Sequence, residues 1–409
     1  AALGWGLLRT GPGPGPGLPA PASSTPATGS TTQPTPPPTS GSSSSRTTSS
    51  SAAVLPVPAS FRLRSLTTAD NRHLFALGTV TCPGGSCPAL AASSDDGGTW
   101  RLVHTFPASA ATGGVPPGEP AGAGRLSDVR FASPSIGWVF GGAAMRTTDG
   151  GRTWQDYPHP GGDVIDLETD GRDVVLTAAP SCSAGSCRGP ISVVRAPVSA
   201  AGATDVVGTI DGGTVVSGAA ITWHAGRAYV SPVVQPRPGA APVGPVVVRP
   251  DGLHPAGPQG CGNGEGSQLV APAAGTTLFA VCPSSGAAGH VGYAIESSAD
   301  GGATWQRVSV DRLVLVNAGH ESFAGADDSR LLAVSGGSPD VHGSMAVSTD
   351  GGATWAPPAG APSLPAKGWA WVGAVGGPVY YALSADPVGG YWRSEDGGQT
   401  WAPVQVAGS

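Results

Sequence analysis

The side chains in this sequence best suited to chemistry are carboxylates and arginines. Two carboxyls held ~5 to 9 Å apart across a glycosidic bond can hydrolyse it, one as acid and the other as nucleophile or base. The candidate acids are Asp128, Asp163, Asp166, Glu168, Glu265, Glu321, Asp327 and Asp328. Asp166 and Glu168, at i and i+2, share one face of an extended strand. Solvated acids at a strand end explain that pair equally well. A catalytic reading would rest on Arg62, Arg130, Asp166 and Glu321.

Other chemistries find less support. The histidines (His73, His104, His159, His224, His254, His290, His320 and His342) stand singly, without a His-x-x-x-His or similar ligand pattern. No Ser-His-Asp or Cys-His arrangement is indicated. The glycine-rich stretches Thr112–Gly114 and Pro160–Gly162 open no helix, so a phosphate loop is not expected. No metal and no cofactor are expected. Trp369 and Trp371 alternate on one strand, which predicts that both face the same side. Such indoles can stack on sugar rings or grip a partner's side chains; packing between sheets is the competing role.

These residues need a scaffold, and the sequence repeats one. An octapeptide, Ser/Thr-x-Asp-x-Gly-x-Thr-Trp, occurs five times, with its aspartates at Asp95, Asp149, Asp300, Asp350 and Asp396. Its tryptophans are Trp100, Trp154, Trp305, Trp355 and Trp401. The spacing is about fifty residues, with one gap near three times that, so two eroded units are expected inside the gap. Pro197–Gly202 replaces the octapeptide in one of them, and Asp251-Gly252 is all that survives in the other. Thr209-x-Asp211-x-Gly213 is read as a turn between units. Five written units and two eroded ones make seven.

Each unit reads as four short strands. In the second these are Asp128–Phe131, Gly137–Phe140, Ala143–Arg146 and Thr153–Tyr157; in the last they are Trp369–Val372, Val379–Leu383, Tyr391–Arg393 and Trp401–Val404. Four-stranded repeats without helical periodicity predict an all-β, seven-bladed β-propeller of antiparallel blades. Arg62, Arg64 and Arg130 then sit on innermost strands, where they can point into a central channel. The octapeptide falls between third and fourth strands. Its Asp can accept N–H groups of its own turn and its Trp can pack between sheets. The eroded third and fourth units lack that turn, and more mobile outer loops are expected there.

The octapeptide resembles the Asp-box, also called the bacterial neuraminidase repeat, and residues 56–409 resemble the sialidase-like β-propellers that carry it. The resemblance implies a structural role for the boxes. It also implies where a sialidase site would lie: three arginines clamping a carboxylate, a Tyr–Glu nucleophile, an Asp acid/base and an Arg-Ile-Pro motif. The nearest string here is Phe61-Arg62-Leu63-Arg64, which lacks the proline. Tyr380 and Tyr381 have no Glu beside them in sequence. Sialidases have six blades. Sortilin-type receptors and photosystem assembly factors carry similar boxes and bind proteins.

Six cysteines fall as Cys82/Cys87, Cys182/Cys187 and Cys261/Cys282, and local disulfides are expected from that spacing. The chain-entropy account gives about 2 kcal/mol for each short loop and about 3 for the longer one. Such bonds persist outside the cytoplasm. Residues 10–55 are Gly/Pro and Ser/Thr/Pro tracts, expected to form a disordered linker. Residues 1–9 are read as the end of a signal or membrane segment, a tether through the N-terminus. Charged residues make up 12% of the chain and the net charge is −6, which gives no footprint for nucleic acid. The single lysine among twenty-one basic residues is read as compositional bias. The expectation is a monomeric, non-catalytic module of the cell envelope that binds a protein or glycan, the alternative being a sialidase-like exo-glycoside hydrolase.

Overall fold

The computed structural model describes residues 55–111, 120–183, 185–235, 237–238, 243–258, 261, 267–316, 321–337, 342–360, 365 and 367–408. Segments 1–9 and 10–54, Glu265, His320 and Thr112–Gly114 lie outside them. The described chain forms seven antiparallel sheets in sequence order, a seven-bladed β-propeller. One turn of 3-10 helix, Ala108–Ala110, is the only helix among the described residues. None there is long and apolar enough to cross a membrane.

The innermost strands of blades one to seven are Arg62–Thr68, Leu126–Phe131, Asp163–Thr169, Val215–His224, Gln268–Val270, Glu321–Gly325 and Trp369–Ala374. Inner strands are buried on both faces; Trp369–Ala374 is apolar and buried throughout, and Leu126–Phe131 is buried throughout although it carries Ser127, Asp128 and Arg130. Outermost strands such as Gln155–Asp156 are exposed. In blade six the fourth strand shrinks to the pair Val347–Ala356, joined by bonds of 2.8 and 3.0 Å. The strands expected in blades two and seven are present within two residues at each end.

Seven apolar clusters fill the seven gaps between neighbouring blades. The octapeptide indoles occupy five of them, each packed toward the preceding blade. The gap between blades two and three has no such indole. Trp138, from the second strand of blade two, fills it from the other side, edge-on to Tyr157 at 5.9 Å. Between blades three and four, aliphatic residues and Trp223 do the same.

Every written octapeptide closes the same way. In the first, Asp95 accepts the Thr99 N–H at 2.8 Å and the Thr99 hydroxyl at 2.7 Å, while Ser93 accepts the Gly97 N–H at 2.9 Å. The Trp100 indole N–H donates to the Gly97 carbonyl at 3.1 Å. The Thr99 N–H first, then the Ser93 and Thr99 hydroxyls, hold Asp95 at about 2, and the Thr304 hydroxyl leads in holding Asp300 at about 2. A folded pKa below the unfolded value means stabilisation present above about pH 4 and lost as pH falls toward 2. An Asp95→Asn/Asp300→Asn variant should therefore be weaker at neutral pH, and its denaturation midpoint should decline less than wild type between pH 4 and 2. Parallel declines would refute the assignment.

The two eroded turns differ from each other. Pro197–Thr204 keeps the length of an octapeptide turn but closes on backbone bonds, including Ala200 N–H to Pro197 O at 2.9 Å. Asp251-Gly252 is no remnant turn of that length, because Arg249 pairs directly with Gly252 in a tight hairpin. Thr209–Gly213 lies at the exit of the fourth strand of blade three, Asp205–Ile210, as expected.

Among the described residues, the ring closes between blades seven and one without exchanging a strand. Trp371, Tyr381, Leu383 and Tyr391 of blade seven pack against Phe61, Leu63 and Leu66 of blade one. The Leu63 N–H bonds Val388 O, and the Gly408 N–H bonds Val57 O, both at 2.8 Å. The first octapeptide departs from the others at this seam. Where they place Gly150, Gly301, Gly351 and Gly397 at φ of 71 to 80°, it has Asp96 at 59°. A left-handed non-glycine costs about 1 kcal/mol. In return the Asp96 carboxylate meets Arg393 of blade seven at 2.8 Å. Asp96→Gly should relax the turn but sever the clasp. A double-mutant cycle with Arg393→Met should show a coupling of about 0.5 kcal/mol in chemical unfolding; additive effects would show that the pair does nothing.

Candidate functional site

Five of the seven innermost strands are bulged beside the polar side chains they carry. In blades one, two, three, four and seven the pairing of first and second strands slips by one residue at the same place. Arg64, Ser127, Ile165, Ser217 and Ala370 are the extra residues, and a bulge re-aims the side chains around it. Periodicity alone does not reveal these slips.

The bulges of blades two and three set Asp128, Arg130, Asp166 and Glu168 near one another. Arg130 Nε is ion-paired with Glu168 Oε1, and each side chain is 4% exposed. The Arg130 Nη1 donates to Val129 O at 2.7 Å, and the guanidinium lies 5.7 Å from the Phe140 ring centre. Asp166 accepts the Leu167 N–H and, from blade four, the Ile221 N–H, both at 2.8 Å. Asp128 accepts the Ser127 hydroxyl at 2.6 Å. Burial first, then the charge of Glu168, pushes Asp166 well above the ordinary carboxylate range. Burial works to lower Arg130, but the charges of Glu168, Asp166 and Asp128 outweigh it and raise its pKa.

This arrangement is a hub that ties blades two, three and four. Equivalent polar bonds recur around the axis: Ser65 accepts the Val129 N–H at 3.3 Å, and Ser322 accepts the Val372 N–H at 3.1 Å. Each links the first strand of one blade to that of the next. A buried group so committed holds backbone in place.

The remaining candidates are dispersed. Arg62 is exposed at the entry of its strand, and its guanidinium bonds Ala59 O and Phe61 O at 2.9 Å each. Glu321 opens the first strand of blade six, three blades away from Asp166, and is 9% exposed. Asp163 accepts the Cys182 N–H at 2.8 Å. Asp327 and Asp328 accept N–H groups of short turns, Asp328 from Thr277 at 2.8 Å. Tyr380 donates to Arg330 O at 2.9 Å, and burial raises its pKa.

Trp369 and Trp371 do not share a face. The bulge at Ala370 sends Trp369 into the gap with blade six and Trp371 into the seam with blade one. Their exposures are 0% and 5%. His73 and His254 pair with Asp70 and Asp251 of their own turns. Among the described residues, no group of three or more His, Cys, Asp or Glu is placed to hold a metal ion.

The two faces of the ring are built differently. One carries short turns, including all five octapeptides. The other carries the connections from second to third strand and from blade to blade. Some of these are long, such as those from Thr105 to Leu126, Gln235 to Val246 and Pro255 to Gln268. All three disulfides, Cys82–Cys87, Cys182–Cys187 and Cys261–Cys282, are formed on that second face.

No protein-family model and no curated relative matches this sequence. Solved structures are similar to it at low identity. One is YCF48 from Cyanidioschyzon merolae, at 16% identity and a TM-score of 0.46, covering 82% of this chain and 96% of that one. Another is the GH74 enzyme of Niastella koreensis, at 14% and 0.43, covering 86% and 68%. A third is the β-propeller domain of the trilobed protease from Pyrococcus furiosus, at 8% and 0.48, covering 85% and 99%. At these values no activity passes from them to this chain.

Proposed function

We propose that this chain is a non-catalytic, extracytoplasmic β-propeller that binds a protein or glycan partner of the cell envelope, with its long-looped, disulfide-bearing face as the binding surface. The observation that supports it best is the commitment of the hub. Arg130 and Glu168 neutralise each other out of solvent, and Asp166 spends both carboxylate oxygens on backbone N–H groups. Long connections on a rigid scaffold are where recognition concentrates. Three formed disulfides suit an oxidising compartment. On this reading the repeated octapeptides are Asp-boxes acting as structural rivets.

The second reading, a sialidase-like exo-glycoside hydrolase, draws on one feature: Asp166 is a carboxyl with a raised pKa beside an arginine and further acids. A panel of fluorogenic glycosides, sialosides included, separates the two. Purified protein should release no fluorophore above the blank. Turnover abolished by Asp166→Asn or Glu321→Gln would establish the hydrolase instead.

A further inference from the structure

The connection between second and third strands of blade three is itself a small hairpin, Ser181–Ser183 paired with Ser186–Arg188 and bridged by Cys182–Cys187. It does not extend its own blade. Cys187 pairs with Val216, and the strand order of that sheet places the hairpin inside the innermost strand of blade four. Nothing but the axis lies on that side of an innermost strand. The hairpin therefore reaches inward of that strand, toward the axis, where Cys182 and Ile165 pack against the same apolar cluster.

Three blades seat it. Asp163 of blade three accepts the Cys182 N–H at 2.8 Å. Pro120, on the connection entering blade two, accepts the Gly185 N–H at 3.0 Å. The Cys187 side chain is 1% exposed in the apolar cluster with Val216 and Ile191. Gly212, on the connection into blade four, runs so close that a Cβ there would fall 1.8 Å from Gly189 O. Yet the hairpin has only three residue pairs of its own, and a two-stranded hairpin of that size is marginal alone. The short-loop disulfide contributes about 2 kcal/mol toward keeping it formed.

We propose that this hairpin is a thiol-controlled plug of the propeller channel. The other two bridges are placed differently. Cys82–Cys87 staples a hairpin whose ladder already runs to its tip within blade one. Cys261–Cys282 ties a connection to a second strand. The plug responds to a small dithiol. A thiolate of the dithiol attacks Sγ of Cys182, the half-buried residue of the pair. The Cys182–Cys187 bond breaks, and Cys187 leaves as a thiolate that takes up a proton. The second thiol of the reductant then displaces Cys182. Two electrons have moved, the dithiol is a disulfide, and both cysteines are thiols. Freed of its cross-link, the hairpin leaves the edge of Val215–Val216 and uncovers Ile165, while the hub stays in place. This inference does not depend on what the binding face recognises.

The test uses the full chain with Cys182→Ser/Cys187→Ser, which leaves the other two bridges intact. Hydrogen exchange at the Gly185 and Val216 amides should speed up at least tenfold. Hydroxyl-radical oxidation of the Ile165 side chain should rise at least threefold. The Leu167 and Ile221 amides, held by Asp166, should stay as slow as in wild type. Unchanged exchange and footprint would overturn the plug, and so would a rise shared by every blade. Should the variant not fold, wild-type protein titrated with dithiothreitol answers the same question. Cys182 and Cys187 should become alkylated before Cys261 and Cys282, with Ile165 exposed and blade amides still protected, and reoxidation should reverse both. Alkylation of Cys182 only together with loss of blade protection would refute it.

Discussion

Arg130→Met should lower the free energy of unfolding by about 3 to 5 kcal/mol, because it leaves carboxylates buried beside an uncharged thioether. Glu168 is 4% exposed at its side chain and has Arg130 as its ion partner. Taking away the cation raises the cost of every charge in the hub. The double variant Arg130→Met/Glu168→Leu should recover much of the loss, since a buried pair replaced by apolar groups of similar size is often nearly neutral. Chemical denaturation of the two variants and wild type measures both effects. An arginine that served to clamp a ligand would behave otherwise: its loss would barely move the denaturation midpoint, and the double variant would rescue nothing.

Trp369→Ala should cost about 3 to 5 kcal/mol, the usual range for emptying a fully buried indole. Trp369 is 0% exposed and meets the Trp392 ring edge-on at 5.2 Å and the Trp401 ring at 6.3 Å. Truncating it leaves those two rings, one of them from the repeated octapeptide, without their common neighbour. Thermal unfolding should show the loss directly. A variant that melts with wild type but loses affinity for a partner would return Trp369 to the role of a binding residue.

Most of the ring was legible in the residues, because the repeated octapeptide marks one turn per blade and the strands around it have β-favouring runs. The blade count survived two eroded turns because spacing, not motif, carries it. The internal geometry was less legible. Alternation placed Trp369 and Trp371 on one face, and a single extra residue, Ala370, parted them. Asp166 and Glu168 drew notice as a pair of acids, but the partner that explains Asp166 is a backbone amide 55 positions away. No local pattern encodes that contact. Asp96 was the one visible signal of the seam: an aspartate where four sister turns have glycine. Its reason, Arg393, lies at the far end of the chain. Trp138 was likewise visible as a spare indole, but its task depends on a neighbour that lacks one.

The four strands of each blade follow one another along the chain, with only the Ser181–Arg188 hairpin of blade three lent to the next sheet, and the last blade meets the first through side chains and a few main-chain bonds. Duplicating or deleting a fifty-residue unit would thus require no rethreading of the polypeptide. The number of units is limited by wedge angle: how wide a slice each pair of neighbouring sheets subtends once its aromatic filling is in place. In such a molecule the genealogy of the ring is written in what sits between its sheets.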